Sequence, residues 1–278
     1  MKTLLSRENR EYKRWKSLLL HRGRSREKAY LAEGSNLARD AVSSGRSVRS
    51  LIFREGAEPK EVLDEKTLEA ASARGTRMYG LAESLFETLT PAERGVDVIS
   101  EVEIEDFTTE DLKGRGRGAG ALNSVLVLDR LQDPGNVGTV IRTADAAGFA
   151  GIVVIKGTAD IYSPKVVRSA AGSVFRMPMV QAEDAGEAVS ICRGLGLPLV
   201  ATGFDTDKLY CDADLSPGVA LVIGNEGRGI SRELMSAADI TVKIPMFGEI
   251  DSLNASSAAA VVMYECVRQN MNRSKNVK

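Results

Sequence analysis

The chain has 278 residues, of which 43% are hydrophobic and 27% charged, and its formal net charge at pH 7 is −1. This composition is typical of a globular protein long enough for two domains of about 150 residues each. The sequence contains no run of about 18 apolar residues, which argues against a transmembrane helix. Charged residues begin at the second position, so we expect no signal peptide and a cytoplasmic location.

Cysteine and histidine usage narrows the possible chemistry. Cys192, Cys211 and Cys266 are odd in number and widely spaced, which predicts reduced, buried thiols with neither a disulfide framework nor a zinc site. The sole histidine, His21, lies in a basic segment without a nucleophile, so a Ser-His-Asp or Cys-His mechanism is disfavoured. Acid–base chemistry must then come from carboxylates, Arg, Lys or the substrate, and we expect no metal.

The positive charge is concentrated at the start of the chain. Residues 1–30 contain ten Lys or Arg but only three Glu. Such a basic segment on a nearly neutral protein predicts contact with nucleic-acid phosphates, although a solvated helix face is the simpler interpretation. Aromatic residues make up only 5% of the chain, which does not favour base stacking as the main mode of binding. The candidate RNA contacts in this segment are Arg7, Lys13, Arg14 and Lys16.

The first third of the chain alternates between helical and strand patterns. Residues 5–20 predict an amphipathic helix capped by Ser6, and residues 21–28 predict a basic turn. Next come a short strand ending at Glu33, a helix closed by Gly45, the strand V-R-S-L-I-F, a helix near 61–73 and short pieces to about 105. This alternation predicts a small α/β domain over residues 1–106.

A polar segment separates the two predicted domains. Residues 107–123 hold four glycines between positions 114 and 120, which indicates a linker. Arg115 and Arg117 within it are a weaker candidate for RNA contact than the N-terminal cations.

Residues 124–278 predict a parallel α/β domain. Its strands are continuous apolar runs, as expected for a sheet covered on both faces: V-L-V-L-D, G-I-V-V-I-K, M-P-M-V, L-P-L-V-A-T, A-L-V-I-G and T-V-K-I-P. Helices are predicted to begin near Asn136 and at Pro164, and to span 184–194, 230–237 and 252–268.

Three segments of this domain carry polar groups at predicted strand ends or helix starts. The first is N-V-G-T-V-I-R, where Arg142 either serves chemistry, pairs with a carboxylate or reaches the surface. The second is G-N-E-G-R-G-I, in which Glu226 either binds a ligand hydroxyl or pairs with Arg142 or Arg228. The third is S-L-N-A-S-S-A-A-A, where Ser252 either caps a helix or orients a substrate hydroxyl.

Taken together, these segments resemble the SpoU/TrmH family of RNA ribose 2′-O-methyltransferases. The resemblance lies in N-V-G-T-V-I-R-T-A-D-A-A-G-F, L-V-I-G-N-E-G-R-G-I and I-P-M-F-G-E-I-D-S-L-N-A-S-S-A-A-A-V-V-M-Y-E, and it spans about 124–268. The stretch Y-L-A-E-G-S-N-L-A-R-D-A-V resembles, more loosely, the ribosomal-protein-like RNA-binding domain of many members. The chain differs from many relatives at Ala170, where they carry serine.

The resemblance implies an α/β fold with a deep trefoil knot, a homodimer, and S-adenosylmethionine as the methyl donor. Carried over by position, it implies catalytic or conserved polar roles for Asn136, Arg142, Glu226, Ser252 and Asn254. It also implies a donor pocket at Thr202, Gly203, Gly224, Asn225, Gly227, Ile244, Met246, Ser252 and Leu253. Glu33 and Arg168 are further candidates for RNA contact.

The implied chemistry is attack of a ribose 2′-OH on a sulfonium methyl group, which requires RNA because DNA lacks the nucleophile. Arginine is a weak base, since its pKa exceeds about 12. Either Arg142 is strongly perturbed, or it clamps the adjacent phosphate, which then takes or relays the proton; we favour the clamp.

The sequence therefore predicts methylation of RNA, with ribosomal RNA preferred. Methylation of transfer RNA and a non-catalytic, knotted RNA-binding assembly factor stay open as alternatives. A generic dinucleotide-binding domain is disfavoured, because no glycine fingerprint follows the first strand of the second domain.

Overall fold

The computed structural model describes residues 2–90, 95–113, 122–203 and 205–276. Its strands are β1 (Lys2–Leu4), β2 (Ala29–Glu33), β3 (Val48–Arg54), β4 (Arg77–Leu81), β5 (Val98–Glu103), β6 (Val125–Asp129), β7 (Gly151–Ile155), β8 (Met179–Ala182), β9 (Leu199–Thr202), β10 (Ala220–Gly224) and β11 (Ile240–Val242).

The helices alternate with these strands along the chain. They are α1 (Arg10–Ser17), α2 (His21–Glu27), α3 (Ser35–Ser43), α4 (Pro59–Val62), α5 (Glu65–Ala73), α6 (Glu83–Phe86), α7 (Pro134–Ala146), α8 (Pro164–Ala170), α9 (Ala185–Gly194), α10 (Arg232–Ala237) and α11 (Ala255–Asn276). Two 3-10 helices span Thr109–Leu112 and Ser173–Phe175.

The chain forms two compact units. The first comprises Met1–Glu105 together with Tyr162–Arg176, and the second comprises Asp106–Ile161 with Met177–Lys278. Helix α8 lies within Tyr162–Arg176 and therefore belongs to the first unit, whereas the sequence predicted a second domain that runs without interruption from residue 124.

The first unit is built on a five-stranded sheet of order β1-β4-β3-β5-β2, in which β5 runs antiparallel to both neighbours. Helix α1 packs on it through Trp15, and Leu18, which follows the helix, is buried in the same core. The carboxylate of Glu101 on β5 is also fully buried, and it accepts hydrogen bonds from Arg14 Nη2 (2.8 Å) and Trp15 Nε1 (3.0 Å). These bonds fix α1 to the sheet.

The start of the first unit differs from the sequence prediction in two respects. Helix α1 begins only at Arg10, because the side chain of Asn9, and not that of Ser6, accepts from a first-turn N–H. Residues 21–27 form α2 where a turn was predicted. At Gly23 a Cβ atom would lie 1.9 Å from the carbonyl oxygen of Ser17, so the two helices meet at a contact that only glycine permits.

The second unit contains the predicted parallel sheet, with six strands in the order β11-β9-β10-β6-β7-β8. Every residue of β6 and of β7 is buried, which explains their unbroken apolar sequence. Helix α11 begins three residues later than predicted, extends to Asn276 and packs against α7. The fold is therefore the expected parallel α/β arrangement.

The described part of the predicted linker is structured. Phe107 and Leu112 pack on the hydrophobic core of the second unit, and Leu112 is 1% exposed. Arg115 and Arg117 lie outside the described residues, so their predicted role stays a prediction.

The three cysteines are free; Cys192 and Cys266 are buried as expected, whereas Cys211 is exposed. Among the described residues, none of the helices combines the length and apolar character that crossing a membrane requires. The same residues contain no group of three or more His, Cys, Asp or Glu side chains arranged to hold a metal ion.

Candidate active site

The polar segments of the second unit meet at the carboxyl edge of its sheet. Strands β6 and β10 are parallel neighbours, and their last residues, Asp129 and Gly224, are paired in register. The loops that follow them therefore leave the sheet side by side. This edge is where parallel α/β sheets hold ligands.

The first loop ends in a capped helix start. Oδ1 of Asp133 accepts hydrogen bonds from the backbone N–H groups of Gly135 (2.7 Å) and Asn136 (3.0 Å), and Pro134 occupies the first helical position. Because Asp133 caps α7, the side-chain amide of Asn136 is left to contact the other two loops.

Glu226 in the second loop binds the start of α7. Its Oε2 accepts from the N–H of Gln132, and its Oε1 accepts from the N–H of Asp133 and from Asn136 Nδ2, each at 3.0 Å. Partial burial alone would raise the pKa of Glu226, but these hydrogen bonds outweigh burial and hold the pKa below its ordinary value. Both oxygens of Glu226 are thus engaged by the first loop. Arg142 and Arg228 do not pair with it.

Asn254 completes a line of three side chains. Its Nδ2 donates to Asn136 Oδ1 (3.0 Å), so Glu226, Asn136 and Asn254 are joined in sequence. Its Oδ1 accepts from the N–H of Ser256 (2.9 Å), at the start of α11. The residue that caps α11 is therefore Asn254, so of the two roles considered for Ser252 the capping of this helix does not hold. Asn254 both caps the helix and donates to Asn136, so one side chain ties the start of α11 to the start of α7.

The second loop is a tight turn. The backbones of Asn225 and Gly229 exchange hydrogen bonds of 3.0 and 2.8 Å, and Asn225 Oδ1 accepts from the N–H groups of Gly227 and Arg228. At Gly224 a Cβ atom would lie 2.4 Å from the backbone of Gly229, so the turn folds directly over this glycine.

A cavity of about 400 Å³ opens beside these residues, within the size range of small-molecule sites. It is lined by Thr202, Gly203, Ile223, Gly224, Asn225, Glu226, Gly229, Ile230, Ile244, Met246, Ser252, Leu253, Asn254, Ala255 and Ala258. Eight of the nine residues predicted to bind the methyl donor line it, the exception being Gly227.

The cavity walls fit a ligand that is partly apolar and partly polar. Ile244, Met246 and Leu253 provide apolar surface, while Gly203 and Gly224 line the cavity without side chains. S-adenosylmethionine has a flat adenine ring and a polar amino-acid end, so the residues present suit it.

Arg142 is placed apart from the cavity. It lies on α7 six residues beyond Asn136, which corresponds to about 9 Å along the helix axis. Its side chain is exposed and has no partner in the described part of this chain. The other predicted catalytic residues, Asn136, Glu226, Ser252 and Asn254, are brought together at the cavity or its rim.

The predicted RNA contacts all lie in the first unit. Arg7, Lys13 and Lys16 are exposed on or beside α1. Arg14 is bound by Glu101 and by Glu11 (2.7 Å), so its charge is already balanced within the unit.

The remaining two predicted contacts bind each other. Glu33 is buried and accepts from Arg168 Nη1 at 3.0 Å. This pair joins β2 to α8 within the first unit. Contact of any of these residues with RNA stays a prediction.

Two further residues of the site, Arg130 and Gln132, make contacts that were not predicted from the sequence. Gln132 donates its N–H to Glu226, and the carbonyl of Arg130 accepts from Asn225 Nδ2 (2.8 Å). The contacts of Gln132 and of the Arg130 carbonyl are made by backbone atoms, so side-chain type in the sequence gave no signal for them.

Comparison with known proteins agrees with this geometry. The SpoU rRNA Methylase family matches residues 123–264, and the MRM3-like substrate binding domain matches residues 9–99. The chain is 31% identical to the 23S rRNA (guanosine(2553)-2′-O)-methyltransferase RlmP of Bacillus subtilis, over 95% of this chain and 98% of that protein. It is 34% identical to the 23S rRNA (uridine(2479)-2′-O)-methyltransferase of Streptomyces viridochromogenes, over 96% and 92% of the two chains.

A solved structure is similar over the same length. The AdoMet-bound rRNA methyltransferase from Sinorhizobium meliloti superposes with a TM-score of 0.83 at 31% identity, covering 96% of this chain and 97% of that one. The cavity, the three joined side chains and the matched motifs occupy the same segments of the sequence. The chain belongs to the SpoU rRNA methylase family.

Proposed function

We propose that this protein transfers a methyl group from S-adenosylmethionine to a ribose 2′-OH of ribosomal RNA. The observation that carries the proposal is the cavity at the carboxyl edge of the parallel sheet, together with the hydrogen-bonded line Glu226–Asn136–Asn254 beside it. Relatives that match nearly the whole chain are 23S rRNA 2′-O-methyltransferases, which favours ribosomal over transfer RNA.

The donor supplies an electrophilic methyl group, and this chain's residues supply alignment and protection from water. Gly203 and Gly224 would let a bound donor approach the backbone closely, and Ile244, Met246 and Leu253 would provide the apolar surface against it. Alignment of the two reactants in a closed site is the largest contribution that such a pocket offers to an in-line displacement.

Glu226 acts as a positioning residue. Both of its oxygens accept hydrogen bonds from the first loop, so the carboxylate fixes that loop against the cavity rim. Asn136 and Asn254 extend the same connection to the start of α11. The carboxylate is held ionised by these bonds, since they lower its pKa.

The reaction also needs a group to assist removal of the hydroxyl proton, and Arg142 is our candidate. Because Arg142 is exposed and lies outside the cavity, we place it in the site of a second copy of the chain. There its fork-shaped guanidinium clamps the phosphate next to the target ribose. The homodimer, the cytoplasmic location and the trefoil knot stay predictions.

The substrate is tested by mapping 2′-O-methyl groups on total RNA from a deletion strain and its parent. We expect the loss of one mark in 23S rRNA, restored by the wild-type gene but not by Arg142→Ala. Loss of a transfer RNA mark with an unchanged rRNA profile would overturn the choice of substrate. Failure to bind S-adenosylmethionine at millimolar concentration in calorimetry would instead favour a non-catalytic RNA-binding role.

The position of Arg142 is tested by mixing two inactive variants. Arg142→Ala keeps the cavity but lacks the guanidinium. Gly224→Ala keeps the guanidinium but displaces the 225–229 turn that lines the cavity, because its Cβ would lie 2.4 Å from backbone atoms of Gly229 and Ile230. If Arg142 acts in the partner's site, random co-assembly restores about a quarter of the wild-type activity, because half of the dimers are mixed and each has one intact site. No recovery in co-expressed, co-purified mixtures contradicts this arrangement.

A further inference from the structure

Arg130 adopts a backbone conformation that arginine rarely occupies. Three non-glycine residues in the described part of the chain have a positive φ, namely Lys28, Ala171 and Arg130. Lys28 and Ala171 are C-caps of α2 and α8, where the left-handed conformation is a common way to end a helix. Arg130, with φ of 58°, instead follows the last residue of β6, at the edge that holds the cavity. A strained residue at such a place points to a function of its side chain.

The neighbouring loops hold Arg130 in this conformation. Its carbonyl oxygen accepts from Asn225 Nδ2 (2.8 Å) and Gln132 Nε2 (3.3 Å). Its aliphatic stem covers Gly157, where an added Cβ would lie 3.2 Å from Arg130 Cγ. Since Asn225 lines the cavity and the N–H of Gln132 binds Glu226, Arg130 is fixed relative to the site. Glycine would fit this backbone without strain, so backbone geometry alone does not explain an arginine.

The guanidinium has one structural partner and two free ends. Nε donates to Oδ1 of Asp129 (2.9 Å), whose side chain is 1% exposed and which also accepts from the N–H of Ser231. The Nη1 and Nη2 groups have no hydrogen-bond partner among the described residues, and the side chain is 50% exposed. The ion pair with Asp129 therefore uses only the Nε group of Arg130. The two terminal nitrogens form an oriented pair of donors on a half-exposed side chain, at the residue that follows β6.

We propose that Arg130 binds one of the two backbone phosphates that flank the methylated ribose of the substrate RNA, while the other is the one assigned above to Arg142. The inference rests on the proposed function, and it assigns to this chain a substrate-positioning residue on the same copy as the cavity. A planar pair of N–H donors matches two phosphate oxygens, and the bond to Asp129 orients the pair in advance, so less rotamer freedom is lost on binding. Fixing this phosphate would fix the register of the adjacent ribose over the cavity.

Three variants separate this role from a structural one. Arg130→Gly removes the guanidinium and relieves the strained backbone. Arg130→Lys keeps a cation for Asp129, but its single nitrogen is used there and leaves no fork for RNA. Arg193→Gln is the matched control, because Arg193 is exposed in the last turn of α9, which leads to the opposite edge of the sheet.

The measurements use the full-length protein, S-adenosylmethionine and 23S rRNA from a strain that lacks the enzyme. For Arg130→Gly we expect a KM for RNA raised roughly tenfold or more, as for a lost charge-assisted hydrogen bond, with donor affinity unchanged. The salt dependence of RNA binding should weaken by about one phosphate contact. Arg130→Lys should keep the wild-type melting temperature and still raise the KM severalfold, whereas Arg193→Gln should change neither.

Wild-type KM and salt dependence in both Arg130 variants overturn the inference, as does an equal effect of Arg193→Gln. These results leave the proposed function intact, because the wild-type enzyme still methylates the RNA. If the wild type transfers no methyl group, the proposed function fails. Filter binding of the wild type and the variants to the same RNA then still tests the phosphate contact of Arg130. An unchanged salt dependence in Arg130→Gly then overturns the phosphate contact independently.

Discussion

Replacing Glu226 by glutamine tests whether this carboxylate holds the site together. The amide of glutamine keeps one acceptor oxygen and turns an NH₂ group toward donors, whereas the carboxylate accepts from Gln132, Asp133 and Asn136. Each bond to a charged acceptor contributes about 1.5–3 kcal/mol when buried. Glu226 is exposed, so water replaces part of the loss, and we expect the free energy of unfolding of the second unit to fall by about 1–2 kcal/mol.

This loss corresponds to a decrease in Tm of roughly 4 °C for a unit of this size, measured by differential scanning calorimetry. Because the loop also forms the cavity rim, the affinity for S-adenosylmethionine should fall in calorimetric titration. Glu233→Gln is the matched control, since Glu233 lies exposed on α10 and its side chain has no hydrogen bond among the described residues.

The effect of Glu226→Gln should depend on pH in a defined direction. The pKa of Glu226 lies below its ordinary value of 4.5, so the carboxylate stabilises the fold above that pH, and this contribution is lost as pH falls through the lower, folded-state pKa. The Tm difference between wild type and variant should therefore be constant from pH 7 to about 5 and close at lower pH. An equal Tm at pH 7, or a difference that persists to the acid limit, would refute the reasoning.

Three further substitutions have distinct expected outcomes. Gly224→Ala places a Cβ 2.4 Å from backbone atoms and should abolish donor binding in calorimetry, whereas Gly203→Ala meets only side-chain atoms at 3.2 Å or more and should weaken binding mildly; equal effects would contradict the cavity geometry. Asn254→Ala removes the cap of α11 and should cost about 1 kcal/mol of unfolding free energy, with weaker donor binding, so wild-type stability would argue against the cap. Glu101→Gln removes one of the two carboxylates that bind Arg14 and should destabilise the first unit by about 1–2 kcal/mol in calorimetry, while unchanged donor affinity checks that the effect is local.

The parallel sheet was predictable because burial on both faces leaves a direct trace in composition. Residues 125–128 and 220–223 are unbroken apolar runs, and the structure pairs them as the central strands. Helix α2 left no such trace, since its seven residues are polar or glycine and its packing depends on a contact with Ser17. Helix α2 forms because of this tertiary contact, which cannot be predicted from the pattern of residues within the helix.

The candidate site shows the same division. The residues that line the cavity were predictable as a group, because the motifs place them at strand ends. The choice of cap for α11 was not, since Ser252 and Asn254 are both good capping residues and only the reach to Asn136 separates them. The positive φ of Arg130 could not be predicted from the sequence either, because glycine is the residue type that indicates a positive φ and arginine does not.

The line from Glu226 through Asn136 to Asn254 joins segments that lie far apart in the sequence. Asn136 and Asn254 are 118 positions apart, and Glu226 meets Asn136 across 90 positions. The rim of the cavity is therefore complete only when the segment around Asn254 has been synthesised and docked. A nascent chain that already has its central strands therefore has no completed donor site, so methyl-donor binding reports full-length folding rather than folding of the sheet alone.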